Sequence, residues 1–327
     1  MRWLITGGCG FIGTALVSKL ASNENVTIRV FDNLTVGQAE DLATVVNFEL
    51  VETVNADWSE KCELIVGDIV DRDAVNNAAK GADVIVHLAA NTGVLPSITN
   101  PLDDLETNVI GTVNCLEACV HQQVPKFIFA SSGAPVGEAL PPIHERLHCS
   151  PKSPYGASKL AGEAYCSAYS HSFGLNAVAL RFGNVYGPGC HHKTSVVAKF
   201  VKKAVSGETL EVSGDGSQTR DFIFIDDVVS AIEKAVSASE VRGEVFQIAT
   251  GIETSIQDLV TKVIGIAKER DLGLIRIKNL EPNSAEVLRN FSDVTKALDK
   301  LGWQANCSID RGIDQVFEYF LEKRREI

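Results

Sequence analysis

Through the first half of the chain, short runs of β-branched and aromatic residues alternate with stretches of helical spacing. RWLIT (2–6), Val26–Phe31, Leu64–Val66, Val84–Leu88 and Lys126–Ala130 read as strands. Phe11–Ser22 reads as a helix, with further helices predicted at Pro101–Gln122 and Tyr155–Phe173, and Ala177–Arg181 begins another strand. The stretch Asn33–Glu60 is less regular and reads as a helix and a loop. Strands and helices in alternation predict an α/β fold: a doubly wound parallel sheet covered by helices on both faces. Beyond NVYGPG (184–189) the alternation loosens, and loops rich in Gly, Ser, Asp and Asn fall at Ser213–Thr219 and Pro282–Ser284. This predicts a dinucleotide-binding domain over residues 1–180. A smaller substrate lobe is expected over 181–327, with some segments returning to the first.

The chain's 327 residues can bury a large core. A net charge of -12 and a pI near 5.1 argue against a nucleic-acid or anionic-membrane partner. Phosphate groups would have to be held by local arginines, backbone amides and helix ends. Met1 to Thr6 runs straight into a glycine turn, leaving no room for a signal peptide, and no apolar run approaches membrane-spanning length. A cytoplasmic enzyme is the expectation. Eight cysteines are scattered without a C-x-x-C, which suits reduced thiols, and Cys115 and Cys119 share a helix face. Cys190-His191-His192 lacks a second ligand cluster at metal spacing, so no metal is expected.

Chemistry enters at two places. In TGGCGFIG (6–13), Gly7, Gly10 and Gly13 sit between a strand and a helix, the arrangement that lays a pyrophosphate on helix N-terminal amides. Phe11 and Ile12 belong to the same turn. Asp32, followed by Asn33, ends the second strand. It either accepts hydrogen bonds from adenosine ribose hydroxyls, favouring NAD over NADP, or merely closes the strand. Asp68, next to Ile69, is placed either against the adenine edge or as a loop cap. Leu88, Ala89 and Ala90 are small enough at their strand end for a cofactor to pass close. The second place is Tyr155 and Lys159 in SPYGASK (153–159). Positions four apart share a helix face, and a fixed ammonium is expected to bring the phenol down from pH 10 toward a useful base. A dinucleotide turn followed by a tyrosine base points to hydride transfer.

The ordered set TGGCGFIG, FDNLTVG (31–37), GDIVD (67–71), HLAA (87–90), NVIGTVNCLEA (108–118), SPYGASKLAGE (153–163), RFGNVYGPG (181–189), RDFIFIDDVV (220–229) and SDVTKALDKLGW (292–303) resembles the extended short-chain dehydrogenase/reductase family, in its nucleotide-sugar epimerase and dehydratase branch. The resemblance implies a Rossmann-type NAD domain, a smaller nucleotide-sugar lobe, and a homodimer through helices near 101–122 and 155–173. It implies that Tyr155 is the base, Lys159 its partner, Ser132 the hydroxyl on the sugar, and Asn108 part of the cofactor site. It further implies that Asn184 and Arg220 hold the nucleotide diphosphate, although Arg220 beside Asp221 also reads as an ion pair. Members that remove water keep an Asp-Glu pair after the Ser132 position, and the decarboxylating branch keeps the glutamate. Here Gly133 and Ala134 stand there, which disfavours both. Pro135-Val136-Gly137 replaces the usual V-Y-G. Asn283 stands where many relatives carry an arginine; Arg289 either compensates or is a solvated surface residue. Asn290, in place of a bulky tyrosine, would admit a 2-acetamido sugar. The implied activity is a redox-neutral 4-epimerase of a UDP-hexose or UDP-N-acetylhexosamine. A dehydratase or reductase of the same family and a non-catalytic NAD sensor are the alternatives.

Overall fold

A computed structural model describes residues 1–52, 58, 61–192, 195–281 and 287–325. The first part of the chain builds strands β1 (Arg2–Thr6), β2 (Thr27–Asp32), β3 (Glu49–Leu50), β4 (Cys62–Val66), β5 (Val84–His87), β6 (Lys126–Ser132) and β7 (Asn176–Phe182). Its helices are α1 (Phe11–Ala21), α2 (Ala39–Ala43), α3 (Arg72–Ala78), α4 (Val94–Thr99), α5 (Pro101–Leu105), α6 (Gly111–His121) and α7 (Pro154–Ser172). There follow β8 (Asn184–Tyr186), α8 (Val196–Ser206), β9 (Leu210–Ser213), β10 (Thr219–Arg220), β11 (Phe222–Phe224), α9 (Ile225–Ser237) and β12 (Val245–Ile248). The chain ends with β13 (Thr254–Ser255), α10 (Ile256–Glu269), β14 (Ile277–Leu280), α11 (Thr295–Leu301) and α12 (Ile309–Arg325).

Eight strands form one sheet in the order β12-β7-β6-β5-β1-β2-β4-β3, and every neighbouring pair is parallel. Successive side chains along a strand point to opposite faces, so both faces must be covered. Ile5, Val30, Val86 and Ile128 pack on one face against Leu16 and Leu20 of α1 and Val228 and Ile232 of α9. Leu4, Phe31, Phe127 and Phe129 pack on the other against Val75, Leu116 and Cys166 of α3, α6 and α7. Each fully buried phenylalanine contributes roughly 1.5–3 kcal/mol. The connections depart to opposite sides of β1, toward β2 and toward β5. That leaves a crevice at the carboxyl ends of β1 and β5, where such sheets bind ligands.

A second core unites α8, α10 and α12 through Phe200, Leu259, Val263, Val316 and Phe317. Phe11 and Ile12 of α1 pack against it as well, so the glycine turn sits at the seam. After β7 the chain forms this second core, yet β12 returns to pair with β7, and α9 and α11 return to the first core.

Three details differ from the pattern reading. Strand β6 runs on to Ser132, because Ser132 still pairs with Phe182 of β7. The short strand β3 had no alternation to reveal it; both its residues are exposed. The helix expected over 101–122 opens at Glu106–Ile110 into a π turn. In that turn Asn108 is buried and its carbonyl accepts the Thr112 hydroxyl at 2.6 Å. All eight cysteines are free thiols. Among the described residues no helix is long and apolar enough to cross a membrane.

Candidate active site

The crevice is a cleft of about 1000 Å³ that runs from the glycine turn to Tyr155 and on to Ser195. Gly7 has φ +70°, and a methyl there would lie 2.6 Å from the Ala89 amide nitrogen. A methyl on Gly13 would lie 2.4 Å from the Gly7 carbonyl oxygen. Gly10 is the extended N-cap of α1, with no side-chain cap and no acid in the first turn. No side chain caps the start of α1 among the described residues, and backbone replaces side chains where a pyrophosphate would rest. Phe11, Ile12, Leu88, Ala89 and Ala90 line the same end.

Asp32 is buried at the end of β2 and faces this end of the cleft. The Cys9 amide donates to Oδ2 and the Leu34 amide to Oδ1, each at 2.9 Å. Burial pushes its carboxyl upward, while those amides pull it down. Each oxygen keeps a further lone pair for a ribose hydroxyl. Asp68 caps its loop by accepting from Val70 and also receives the Asn33 amide at 2.9 Å, and it lines the cleft beside Ile69. The donor set therefore fits a dinucleotide with an unphosphorylated 2′-hydroxyl. Gly37 was not singled out from sequence. It packs beneath the turn, where a methyl would meet the Cys9 carbonyl at 2.0 Å.

Ser132 ends β6, and Tyr155 stands in the first turn of α7. That helix starts here because Pro154 occupies its first turn and the Ser153 hydroxyl accepts the Gly156 amide at 3.1 Å. The Ser132 hydroxyl, which accepts the Ala134 amide at 3.2 Å, lies close enough to the Tyr155 phenol to favour its charged form. Ser131 donates instead to Glu163, which also holds Arg181, so only the second serine of the pair serves the phenol. One turn on, Lys159 is buried and donates to the Ala130 carbonyl at 2.9 Å, its ammonium 4.9 Å from the Phe129 ring centroid and 5.9 Å from that of Tyr155. Burial pushes the ammonium down to about 8, against the pull of Asp104 and Glu163.

One expectation fails here. The Tyr155 phenol lies above its ordinary value: burial raises it, the Ser132 hydroxyl opposes, and Asp104 raises it further. Lys159 flanks the ring, and desolvation wins in the protein alone. Beneath the pair, His87 bridges Thr6 (2.7 Å) and Thr112 (3.1 Å). Burial, and after it Lys159, push the imidazole down to about 3. The neutral ring thus ties β1 and β5 to α6.

Other expected residues fall elsewhere. Asn108 does not line the cleft. It is buried behind it, with its side chain on the Asn91 backbone, Asp104 and Ser158. Arg220 also lies outside the lining. Its guanidinium donates to the Thr219 and Val287 carbonyls, while Asp221 takes backbone amides of Thr250, Gly251 and Ser292 instead of pairing with it. Arg289 is exposed and bidentate on Glu253, at 2.7 and 2.8 Å, so it does not reach the cleft. Asn184 lines the cleft. Asn290 stands outside the main lining, its amide 3.9 Å from where a methyl on Gly133 would be. Gly133 leads into one tight turn over Ala134–Val136 that carries no proton donor or acceptor side chain. Asn283 lies outside the described residues. His191 is engaged by Asp41 and Tyr319, and no group of three or more metal-ligating side chains converges among the described residues.

The sequence reading passed over the far end of the cleft. Ser195, Val196 and Val197 line it at the N-terminus of α8, and the buried Ser195 hydroxyl has no hydrogen-bond partner among the described residues. A serine directly before the apolar run VVAKF was the available signal.

A model of the NAD dependent epimerase/dehydratase family matches residues 3–249. The chain belongs to that family. It is 36% identical to a UDP-glucose 4-epimerase of Mycolicibacterium smegmatis, over 99% of each chain. Its fold is similar to that of a Thermotoga maritima UDP-glucose 4-epimerase solved with UDP-glucose, with TM-score 0.87 and 32% identity over 99% and 100% of the two chains. It is also similar to a UDP-N-acetylglucosamine 4-epimerase of Methanobrevibacter ruminantium, with TM-score 0.87 and 28% identity over 98% of each. The family's cofactor is NAD, and the residues that would hold it here are the glycine turn, Asp32, Asp68 and the wall of Leu88 to Ala90.

Proposed function

We propose that this protein is a 4-epimerase of a UDP-linked hexose or N-acetylhexosamine that works through a transient 4-keto sugar. The observation that carries the reading is the meeting of Ser132, Tyr155 and Lys159 in one cleft with a glycine turn, next to a loop at Gly133 and Ala134 that cannot move a proton. Bound NAD supplies a reversible hydride acceptor. Tyr155 in its phenolate form accepts the proton of the 4-hydroxyl and later returns it, while Ser132 orients that hydroxyl. Lys159 provides the fixed positive charge beside the ring. The nucleotide diphosphate is assigned to the α8 N-terminus, whose first amides carry no side-chain cap among the described residues, with Asn184 on the neighbouring wall. Elimination of water would need an acid and a base after Ser132, and Gly133 and Ala134 provide neither.

The assembly is read as a homodimer. Leu95, Ile98, Leu102, Leu105 and Ile110 are exposed on α4, α5 and the π turn, and Tyr165 and Phe173 on α7. A stripe of this kind is costly to leave in water.

Purified protein with verified NAD content should interconvert UDP-glucose with UDP-galactose, or their N-acetyl forms, without net NADH production. Failure on all four sugars would remove the proposal, and stoichiometric NADH would indicate a dehydrogenase. Tyr155→Phe should stay folded with turnover down roughly 10²–10⁴-fold. Near-wild-type turnover would take the phenol out of the reaction.

A further inference from the structure

We propose that Cys149 is a site of reversible oxidation whose sulfenic acid product is held by the guanidinium of Arg181; this goes beyond the activity proposed above and does not depend on it. Arg181 of β7 is 3% exposed. Its Nε and Nη2 donate to the two oxygens of Glu163, each at 2.7 Å. That pairing takes up one side of the planar fork and leaves the other Nη2 hydrogen for the Cys149 sulfur, at 3.2 Å. At the same end of the fork Nη1 presents a parallel hydrogen, and Nη1 has no hydrogen-bond partner among the described residues. A buried donor beside the thiol is thus left unmet, and the acceptor found at that end is sulfur, a weak one.

Access singles out the same residue. Of the eight free thiols six are buried, while Cys149 and Cys307 are half-buried and open to a small solute. The Cys307 sulfur donates to the Ser308 carbonyl at 3.5 Å, so the two half-buried thiols differ in their neighbours. The backbone beside Cys149 is fixed as well, because the Ser150 amide donates to the Val136 carbonyl at 3.2 Å. The oxidant is hydrogen peroxide. The Cys149 thiolate attacks one peroxide oxygen, the S–O bond forms as the O–O bond breaks, and the departing hydroxide takes up the thiol's proton to leave as water. Sulfur loses an electron pair and the peroxide gains it. The new oxygen stands one bond beyond the sulfur, where Nη1 and Nη2 both donate to it. A small thiol reverses the change by forming a mixed disulfide with loss of water, which a second thiol then reduces.

Full-length reduced protein treated with equimolar hydrogen peroxide and then dimedone, followed by peptide mass mapping, reads the site. Label on Cys149 should exceed that on Cys307 by roughly tenfold or more, and dithiothreitol added before dimedone should abolish it. Equal labelling of the two cysteines would overturn the proposal, as would passage of Cys149 straight to the sulfonic acid. Arg181→Lys keeps the charge and removes the fork, so Cys149 label should fall to the Cys307 level; undiminished label would reduce the site to mere exposure. Should that buried variant fail to fold, Cys149→Asp and Cys149→Asn test the same place without touching Arg181. The aspartate sets a charged oxygen where the sulfenic oxygen would stand, so its variant should melt about 2 °C or more above the asparagine variant. An aspartate variant that melts lower would show that no donor faces that position. None of these readouts needs turnover, so failure of the epimerase reading would leave them standing.

Discussion

Lys159→Met tests the electrostatics of the site through stability. The lysine is 3% exposed, and burial takes its ammonium from an ordinary 10.5 to about 8. That drop, at 1.36 kcal/mol for each pH unit, amounts to about 3 kcal/mol by which the folded chain disfavours the charged form. The sign follows from the two values. Between about 8 and 10.5 the unfolded chain still binds the proton while the folded one has released it, so stability rises with pH. At pH 7 nearly the whole penalty is present, and by pH 9.5 about 2 kcal/mol of it has gone. Methionine carries no such proton. Whatever the constant offset from losing the Ala130 bond, the stability of wild type minus that of Lys159→Met should grow by about 2 kcal/mol between pH 7 and 9.5. Urea unfolding of both NAD-stripped proteins at the two pH values measures it. A difference that stays flat, or shrinks as pH rises, would refute the burial argument.

Gly37→Ala should weaken NAD binding at least about tenfold, read by NADH fluorescence titration, because its methyl would meet the Cys9 carbonyl at 2.0 Å and displace the turn. Arg289→Ala should leave KM for the nucleotide sugar within about twofold, since its exposed guanidinium is held by half-buried Glu253; a large rise in KM would restore it to the substrate site. Leu102→Glu should convert the proposed dimer to monomer by light scattering, while a wild-type monomer would dismiss the apolar stripe as an interface.

The first half of the molecule was legible because its strands are buried on both faces and its turns need glycine; Gly7 and Gly13 announce their geometry in their residue type. Tyr155 and Lys159 were legible through helical spacing, and Ser132 through the family resemblance that its motif carries. What sequence misjudged is where charged side chains spend their hydrogen bonds. Arg220 beside Asp221 looked like a diphosphate clamp or an ion pair, yet the guanidinium donates to the Thr219 and Val287 carbonyls and Asp221 accepts the Thr250 and Gly251 amides. Asn108 looked like a ligand contact, but the π turn carries it inward. The phenol was expected to be acidified because an ammonium four residues away is visible in a sequence, whereas the depth of burial is not. Ser195 escaped notice since a lone serine before an apolar run has no distinctive chemistry until its hydroxyl is found without a partner.

The return of β12 and α9 to the first core, with α10 and α12 in the second, makes the chain pass back and forth between its two cores. Neither half is a bead on a string, so a nick at a surface loop should not release a free nucleotide-binding fragment. The same stitching resists a wide hinge opening during turnover. A keto sugar that must present its other side would have to swivel inside walls of nearly constant shape.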